Sequence, residues 1–280
     1  MNDIKKMQDT AAQIRRDIIR MVSMAGSGHP GGSLSSTDVM TALYFGVMNQ
    51  NPATWTRECK GQDAFILSAG HLAPVYYATL ARAGYFPVSE LASLRKYGSR
   101  LQGHPSIERG LPGVAQTSGS LGQGLSCAAG MALGKKLDGE TNKVYCLVGD
   151  GESEEGQIWE AAMFAAHHKI DNLIAITDWN CCQIDGNVNE VAGLGDLAAK
   201  WTAFGWNVII VEKGNDLEAI IAALQQAGNT TGKPSMILLK SEMGHGVDFM
   251  AGKAGWHGKA PKEEETAAAL AQIPETLGDF

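Results

Sequence analysis

Two short apolar runs, Val144 to Val148 and Leu173 to Thr177, constrain the fold more than any other feature of the chain. Each has strand length and β-branched content, and the segment between them, Ile158 to His168, has the length and pattern of a helix. Strand, helix, strand in that order predicts a right-handed crossover joining parallel neighbours. Both strands then end on the same rim, where open α/β sheets bind their ligands. Gly149-Asp150-Gly151 follows the first strand and Asp178-Trp179-Asn180 follows the second, so Asp150 and Asn180 are placed on that rim together. Asp150 and the amide oxygen of Asn180 are hard oxygen donors of the kind Mg²⁺ takes alongside substrate phosphates. The flanking glycines let the backbone turn sharply and a phosphate come close. A plain turn uses the same residues, so Gly-Asp-Gly alone leaves both readings open.

Of the seven histidines, His29, His71, His104 and His257 each stand in a loop flanked by glycine or proline. Loops on a rigid scaffold are where binding and catalytic groups concentrate, and imidazole can exchange a proton near neutrality or donate to an anionic oxygen. His167 and His168 fall at the end of the predicted helix and read as a helix terminus or surface. His245, between two glycines, stays open.

The span from Gly149 to Gly186 resembles the thiamine diphosphate signature of transketolases, which opens on GDG and closes about thirty residues later on asparagine. Further segments resemble the same family in the same order. They are Ser27 to Gly31, Leu67 to His71, Gly103-His104-Pro105 with Thr117 to Gly124, and Trp256 to Lys259. The resemblance implies an α/β fold with a doubly wound, mainly parallel sheet and helices on both faces, the diphosphate-binding (PP-type) domain. It also implies roles. Asp150, Asn180 and the carbonyl of Cys182 hold Mg²⁺, with Ca²⁺ or Mn²⁺ as substitutes, and the ion holds the diphosphate of thiamine diphosphate. Gly151 admits that diphosphate, while His71 and His257 bond its oxygens with Lys259 as an additional cation. Gly119 and Leu121 line the aminopyrimidine side, and Ile184 keeps the cofactor bent. His29 and His104, with His257, face the sugar and move its protons. Glu155 matches an acidic residue that faces its counterpart near a dimer axis, with Glu160 in the same network; a solvated acidic face is the other reading.

The implied reaction moves a two-carbon ketol unit from a ketose phosphate to an aldose phosphate. Members of the family normally run to more than twice this length. The glutamate that activates the aminopyrimidine, and most cations that grip the sugar phosphate, come from the part beyond this segment. The expectation is therefore a split enzyme, completed by a separate C-terminal transketolase subunit in an α2β2 heterotetramer. Two alternatives stand beside it: the α chain of a 2-oxo acid dehydrogenase, which is also split, and a cofactor-binding module without turnover. The four histidine contexts favour transketolase over the dehydrogenase. Cys181-Cys182 reads as apolar packing rather than as a vicinal disulfide.

A chain of 280 residues with 44% hydrophobic and 19% charged residues fits one α/β domain over 1–280. Its net charge of −7 opposes nonspecific nucleic-acid binding. No run reaches membrane-spanning length, and five cysteines without framework spacing suit a reducing, cytoplasmic setting. Further helices are expected over Ile4 to Ala25, Val39 to Met48 behind a Ser35/Asp38 capping box, His71 to Ala83, Leu125 to Leu137, Leu217 to Ala227 and Lys262 to Gln272. Strands are expected at Val208 to Val211 and Met236 to Leu239, and loose final residues at the C-terminus.

Overall fold

The computed structural model describes residues 3–280. Five strands, β1 (Ala64–Leu67), β2 (Val144–Gly149), β3 (Leu173–Asp178), β6 (Asn207–Val211) and β7 (Ser235–Leu239), form one parallel sheet in the order β1-β2-β3-β7-β6. A two-stranded antiparallel ribbon, β4 (Cys182–Gln183) with β5 (Gly186–Asn187), sits just beyond β3. The helices are α1 (Ile4–Ala25), α2 (Pro30–Ser35), α3 (Thr37–Ala42), α4 (Ala73–Arg82), α5 (Gln123–Leu137), α6 (Gly156–His167), α7 (Val188–Ala192), α8 (Leu197–Ala203), α9 (Leu217–Gly228) and α10 (Glu263–Gln272).

The strands are apolar on both faces because both faces are covered. Successive residues point to opposite sides. Phe65, Leu67, Tyr145, Leu147, Ile174 and Ile176 enter one core with α1, α4 and α9. Ala64, Ile66, Val144, Cys146, Leu173 and Ala175 enter the other with α5, α6 and α8. Helix α6 carries β2 forward to β3 on one face, whereas α9 carries β6 back to β7 on the other. A reversal of direction with a change of face keeps both crossovers right-handed. The expected doubly wound sheet is the one observed.

Helix α1 has the predicted limits, with Asp3 capping Lys6 N–H and Gly26 closing it at φ +59. Its stripe Ile14, Ile18, Met21 and Val22 is fully buried, and each such side chain contributes about 1.5–3 kcal/mol. Two expectations fail. Ser35 and Asp38 form no capping box: the segment breaks into α2 and α3, followed by a wide turn at Leu43–Val47. Asp38 pairs instead with Arg15, and the Ser35 hydroxyl turns to Asp178. The final residues are also held. Arg16 donates to Asp279 (2.9 and 2.7 Å) and to the carbonyls of Leu270 and Ile273, and Thr276 bonds Asp9 and Gln13. Buried arginine donors that need acceptors outweigh the tendency of a terminus to fray.

Helices α1 and α4 are joined by a buried ion pair. Arg82 grips both oxygens of Asp17 (2.7 and 2.8 Å), whose side chain is 0% exposed. Arg82→Met strands that carboxylate with Gln13 as its one remaining donor, so urea unfolding should show a loss of about 3–5 kcal/mol. The double variant Asp17→Leu/Arg82→Met should recover much of it. A single-variant loss below about 1 kcal/mol would mean the pair does not bind the two helices.

Candidate functional site

At the carboxyl ends of β2 and β3, register brings Gly149 beside Asp178, so Asp150 and Asn180 emerge on one rim as expected. The Asp150 carboxylate is 2% exposed and accepts from Gly151 N–H (2.8 Å) and Cys181 N–H (2.6 Å). Cys181 reaches that position through a left-handed backbone, φ +62. Burial, and then the neighbouring charge of Asp178, push the Asp150 carboxyl up to about 7. Asn180 gives its amide N–H to Asp178 (2.9 Å), and its oxygen accepts from Cys182 N–H (2.9 Å). The Cys181 and Cys182 thiols are unpaired, and burial raises both.

Asp178 was not anticipated from the sequence. It is 2% exposed and takes Ser35 (2.5 Å), Ser36 (3.0 Å), Asn180 and Ser241 as hydrogen-bond donors. Glu152 was missed as well. Equally buried, it accepts from the Ser68 hydroxyl (2.5 Å), Gly122 N–H (2.7 Å) and Gly149 N–H (2.9 Å). Both stand within two residues of a predicted ligand, which was the available signal.

A cavity of about 290 Å³ opens over this rim. Asp150, Asn180, Cys182, Gly151, Gly119, Leu121, Ile184 and all four loop histidines line it. His29 is the hub, its ring centroid 5.3 Å from His71, 5.6 Å from His257 and 6.4 Å from His104. Each histidine is placed by a different element. His29 caps α2, His71 lies in the turn Gly70–Leu72 before α4, and His257 follows the turn Ala254–Trp256. Tyr77 of α4 secures the His104 loop by donating to the Gln102 carbonyl (2.9 Å).

Burial, followed by the mutual charge of the cluster, depresses His71 to about 3; the same causes, joined by Arg95, depress His29 to about 4. Burial lowers His104 and His257 too. The cluster is therefore neutral at pH 7, each ring having one donor and one acceptor nitrogen. Nδ1 of His29 and of His257 is buried without a protein partner. Gly151 is closely covered: a Cβ would lie 2.6 Å from the Gln183 side-chain oxygen and 3.1 Å from its Cβ, so a side chain there would displace Gln183. Ile184, 64% exposed, projects over the cavity toward Gly258. Orphaned imidazole nitrogens, a bare backbone turn and two crowded carboxylates fit a diphosphate accompanied by a divalent cation.

Two predicted site residues lie elsewhere. The Lys259 ammonium stacks 4.0 Å above the Trp256 ring and pairs with Glu265 (3.1 Å), so it does not line the cavity. Glu155 is exposed at the start of α6, as is Glu160 on that helix, and neither lines the cavity. His245, left open by the sequence, is paired with Glu242 outside it. The exposed end of α6 holds His167 and His168.

Residues 6–274 match the thiamine diphosphate-binding domain of transketolase. The chain belongs to the transketolase family. Among similar transketolases, the 6-deoxy-6-sulfo-D-fructose transketolase subunit SqwG of Clostridium sp. (strain MSTE9) is 44% identical over 269 residues, covering 95% of this chain and 96% of that protein. An apulose-4-phosphate transketolase subunit of Phocaeicola vulgatus is 40% identical, covering 94% and 92%. Human transketolase is 39% identical over 91% of this chain, which spans only 40% of the human protein. The crystal structure of transketolase from Campylobacter jejuni superposes with a TM-score of 0.89 at 32% identity, covering 98% of this chain and 43% of that one. Transketolase chemistry, ketol transfer, thus comes with a thiamine diphosphate-binding domain that the subunit-named relatives match end to end.

Neutral histidines in the fold carry a consequence for stability. Their unfolded pKa is about 6.5, so the unfolded chain takes up protons that the fold refuses. Stability is full above about pH 6.5 and falls as pH drops toward the folded values of His29 and His71. Near pH 5 unfolding should take up about two protons from this pair, and His29→Asn/His71→Asn should flatten the pH dependence of urea unfolding accordingly. An unchanged slope would show that the two rings are protonated in the fold.

Proposed function

We propose that this chain is the diphosphate-binding N-terminal subunit of a two-chain transketolase. The observation that carries this reading is the cluster of four neutral imidazoles facing Asp150 and Asn180 across one cavity, in a chain similar along its whole length to transketolase subunits. Asp150, Asn180 and the Cys182 carbonyl would hold Mg²⁺. Gly151, His71 and His257 would receive the diphosphate, Gly119 and Leu121 the aminopyrimidine side, and Ile184 would press on the bend. When bound, thiamine diphosphate supplies a carbanion that accepts and releases a two-carbon ketol unit.

The protein's own part is positional and protonic. His29 and His104 stand where a sugar would meet the cofactor. As neutral imidazoles they take a proton from a hydroxyl in one half-reaction and return it in the other. His257 donates to oxygens that gain negative charge. The substrates are a ketose phosphate donor and an aldose phosphate acceptor, or sugars with a comparable anionic end, since the similar subunits are named for a sulfonated and a phosphorylated ketose. A C-terminal subunit supplies the activating glutamate and the remaining cations, in an α2β2 assembly. The setting is the cytoplasm, which suits five unpaired cysteines and described helices none of which is long and apolar enough to cross a membrane.

Co-expression with a pyrimidine-binding partner subunit, then a donor and acceptor screen with thiamine diphosphate and Mg²⁺, tests the reading. Two-carbon transfer is expected from the mixture and not from either chain alone. Oxidative decarboxylation, or transfer by the lone chain, would overturn it. Asp150→Ala should abolish Mg²⁺-dependent cofactor retention with the fold intact by circular dichroism. His104→Ala should instead lower sugar turnover by about 10²–10⁴-fold while cofactor binding changes little; the opposite ranking would reassign His104 to the cofactor.

A further inference from the structure

We propose that Asp178 is a positioning residue that fixes which face of the Asn180 amide meets the cation. An ionised carboxylate accepts hydrogen bonds and cannot donate them. Asp178 lies at the tip of β3, is 2% exposed, and meets the Asn180 amide nitrogen at 2.9 Å, which can only donate, together with the Ser35, Ser36 and Ser241 hydroxyls, of which Ser35 also reaches the Gly32 carbonyl (2.9 Å). An asparagine side chain has nearly symmetric ends, and nothing in its own shape decides which end faces a ligand. Beside Asp178 the choice is made. The NH₂ end must face the carboxylate, which also places it 3.3 Å from Ser35 Oγ, and the oxygen turns to the opposite side.

The Cys182 N–H donates to that oxygen from 2.9 Å and holds it there from the other side. One lone pair is left for a cation. Reversed, the amide would point two N–H groups at the metal and set its oxygen against the Asp178 carboxylate. The three serines come from α2, the start of α3 and the segment after β7. The orientation of one ligand is thereby referred to two separate parts of the fold, the α2/α3 junction and the segment after β7.

The inference rests on the proposed Mg²⁺ diphosphate site, and the experiment separates the two. Binding of thiamine diphosphate to the full chain is followed by tryptophan fluorescence, titrating Mg²⁺ or Mn²⁺, with a parallel series of inorganic pyrophosphate in EDTA. Asp178→Asn should weaken metal-dependent binding about 10–100-fold and leave metal-free pyrophosphate binding unchanged. In a double-mutant cycle, Asp178→Asn should add little once Asn180 is already alanine. Ser241→Ala, which removes one donor and keeps the charge, should shift metal-dependent binding in the same direction by less, and carries the test if Asp178→Asn does not fold. Equal losses with and without metal, full additivity with Asn180→Ala, or no loss in either variant would overturn the positioning role. If Asp150→Ala also leaves metal-dependent binding intact, the metal site itself fails. Loss in Asp150→Ala with none in Asp178→Asn or Ser241→Ala removes the inference alone.

Discussion

Two-sided burial of a parallel sheet is the constraint on which the rest of the molecule depends. With α1, α4 and α9 on one face and α5, α6 and α8 on the other, the central strands have no wet side. Chemistry-bearing side chains are therefore displaced to the strand ends, where the ladder stops and the backbone turns. Parallel register does the remainder. Gly149 beside Asp178 places Asp150 and Asn180 next to each other without any further instruction. The helices that cover the sheet begin near the same rim, so the loops that hold His29, His71 and His104 converge there, and the His257 loop joins them.

The same burial gives the histidines their chemistry. A solvated imidazole would be partly charged at neutral pH, and four charged rings at 5.0 to 6.4 Å would repel one another. Desolvation removes the conflict by holding the rings neutral. What remains is a set of donors and acceptors that can exchange protons with sugar hydroxyls and still hydrogen-bond an anion. Opposite the histidines, burial raises Asp150 and Asp178, so that side of the cavity favours a cation. The site is thus divided between a floor of buried carboxylates and a wall of neutral imidazoles.

Much of this was legible in the sequence because the signals are local. Strand, helix and strand around Gly149 to Asn180 could be read from run length and spacing, and the glycine- and proline-flanked histidines from their neighbours. Where the reading failed, the deciding partner was distant. Ser35 reads as the start of a helix because Asp38 stands three residues on, yet its hydroxyl is engaged by Asp178, 143 residues away. The C-terminal residues read as loose because nothing near them in sequence needs them. Arg16, on the first helix, does.

Glu152 shows how such distant contacts turn separate loops into one site. Its two oxygens accept from Ser68 at the end of β1, from Gly122 at the start of α5, and from Gly149 at the end of β2. Gly119 and Leu121, on the aminopyrimidine side of the proposed site, belong to the loop that Gly122 closes. Asp150 and Gly151, on the diphosphate side, belong to the turn that Gly149 opens. One buried carboxylate therefore fixes the spacing between the two halves of the cavity. Its charge is tolerated because three donors satisfy it, two of them backbone N–H groups that no side-chain substitution removes. A ligand that must be gripped at one end and presented at the other requires such a fixed spacing, and loops held by independent contacts would not supply it.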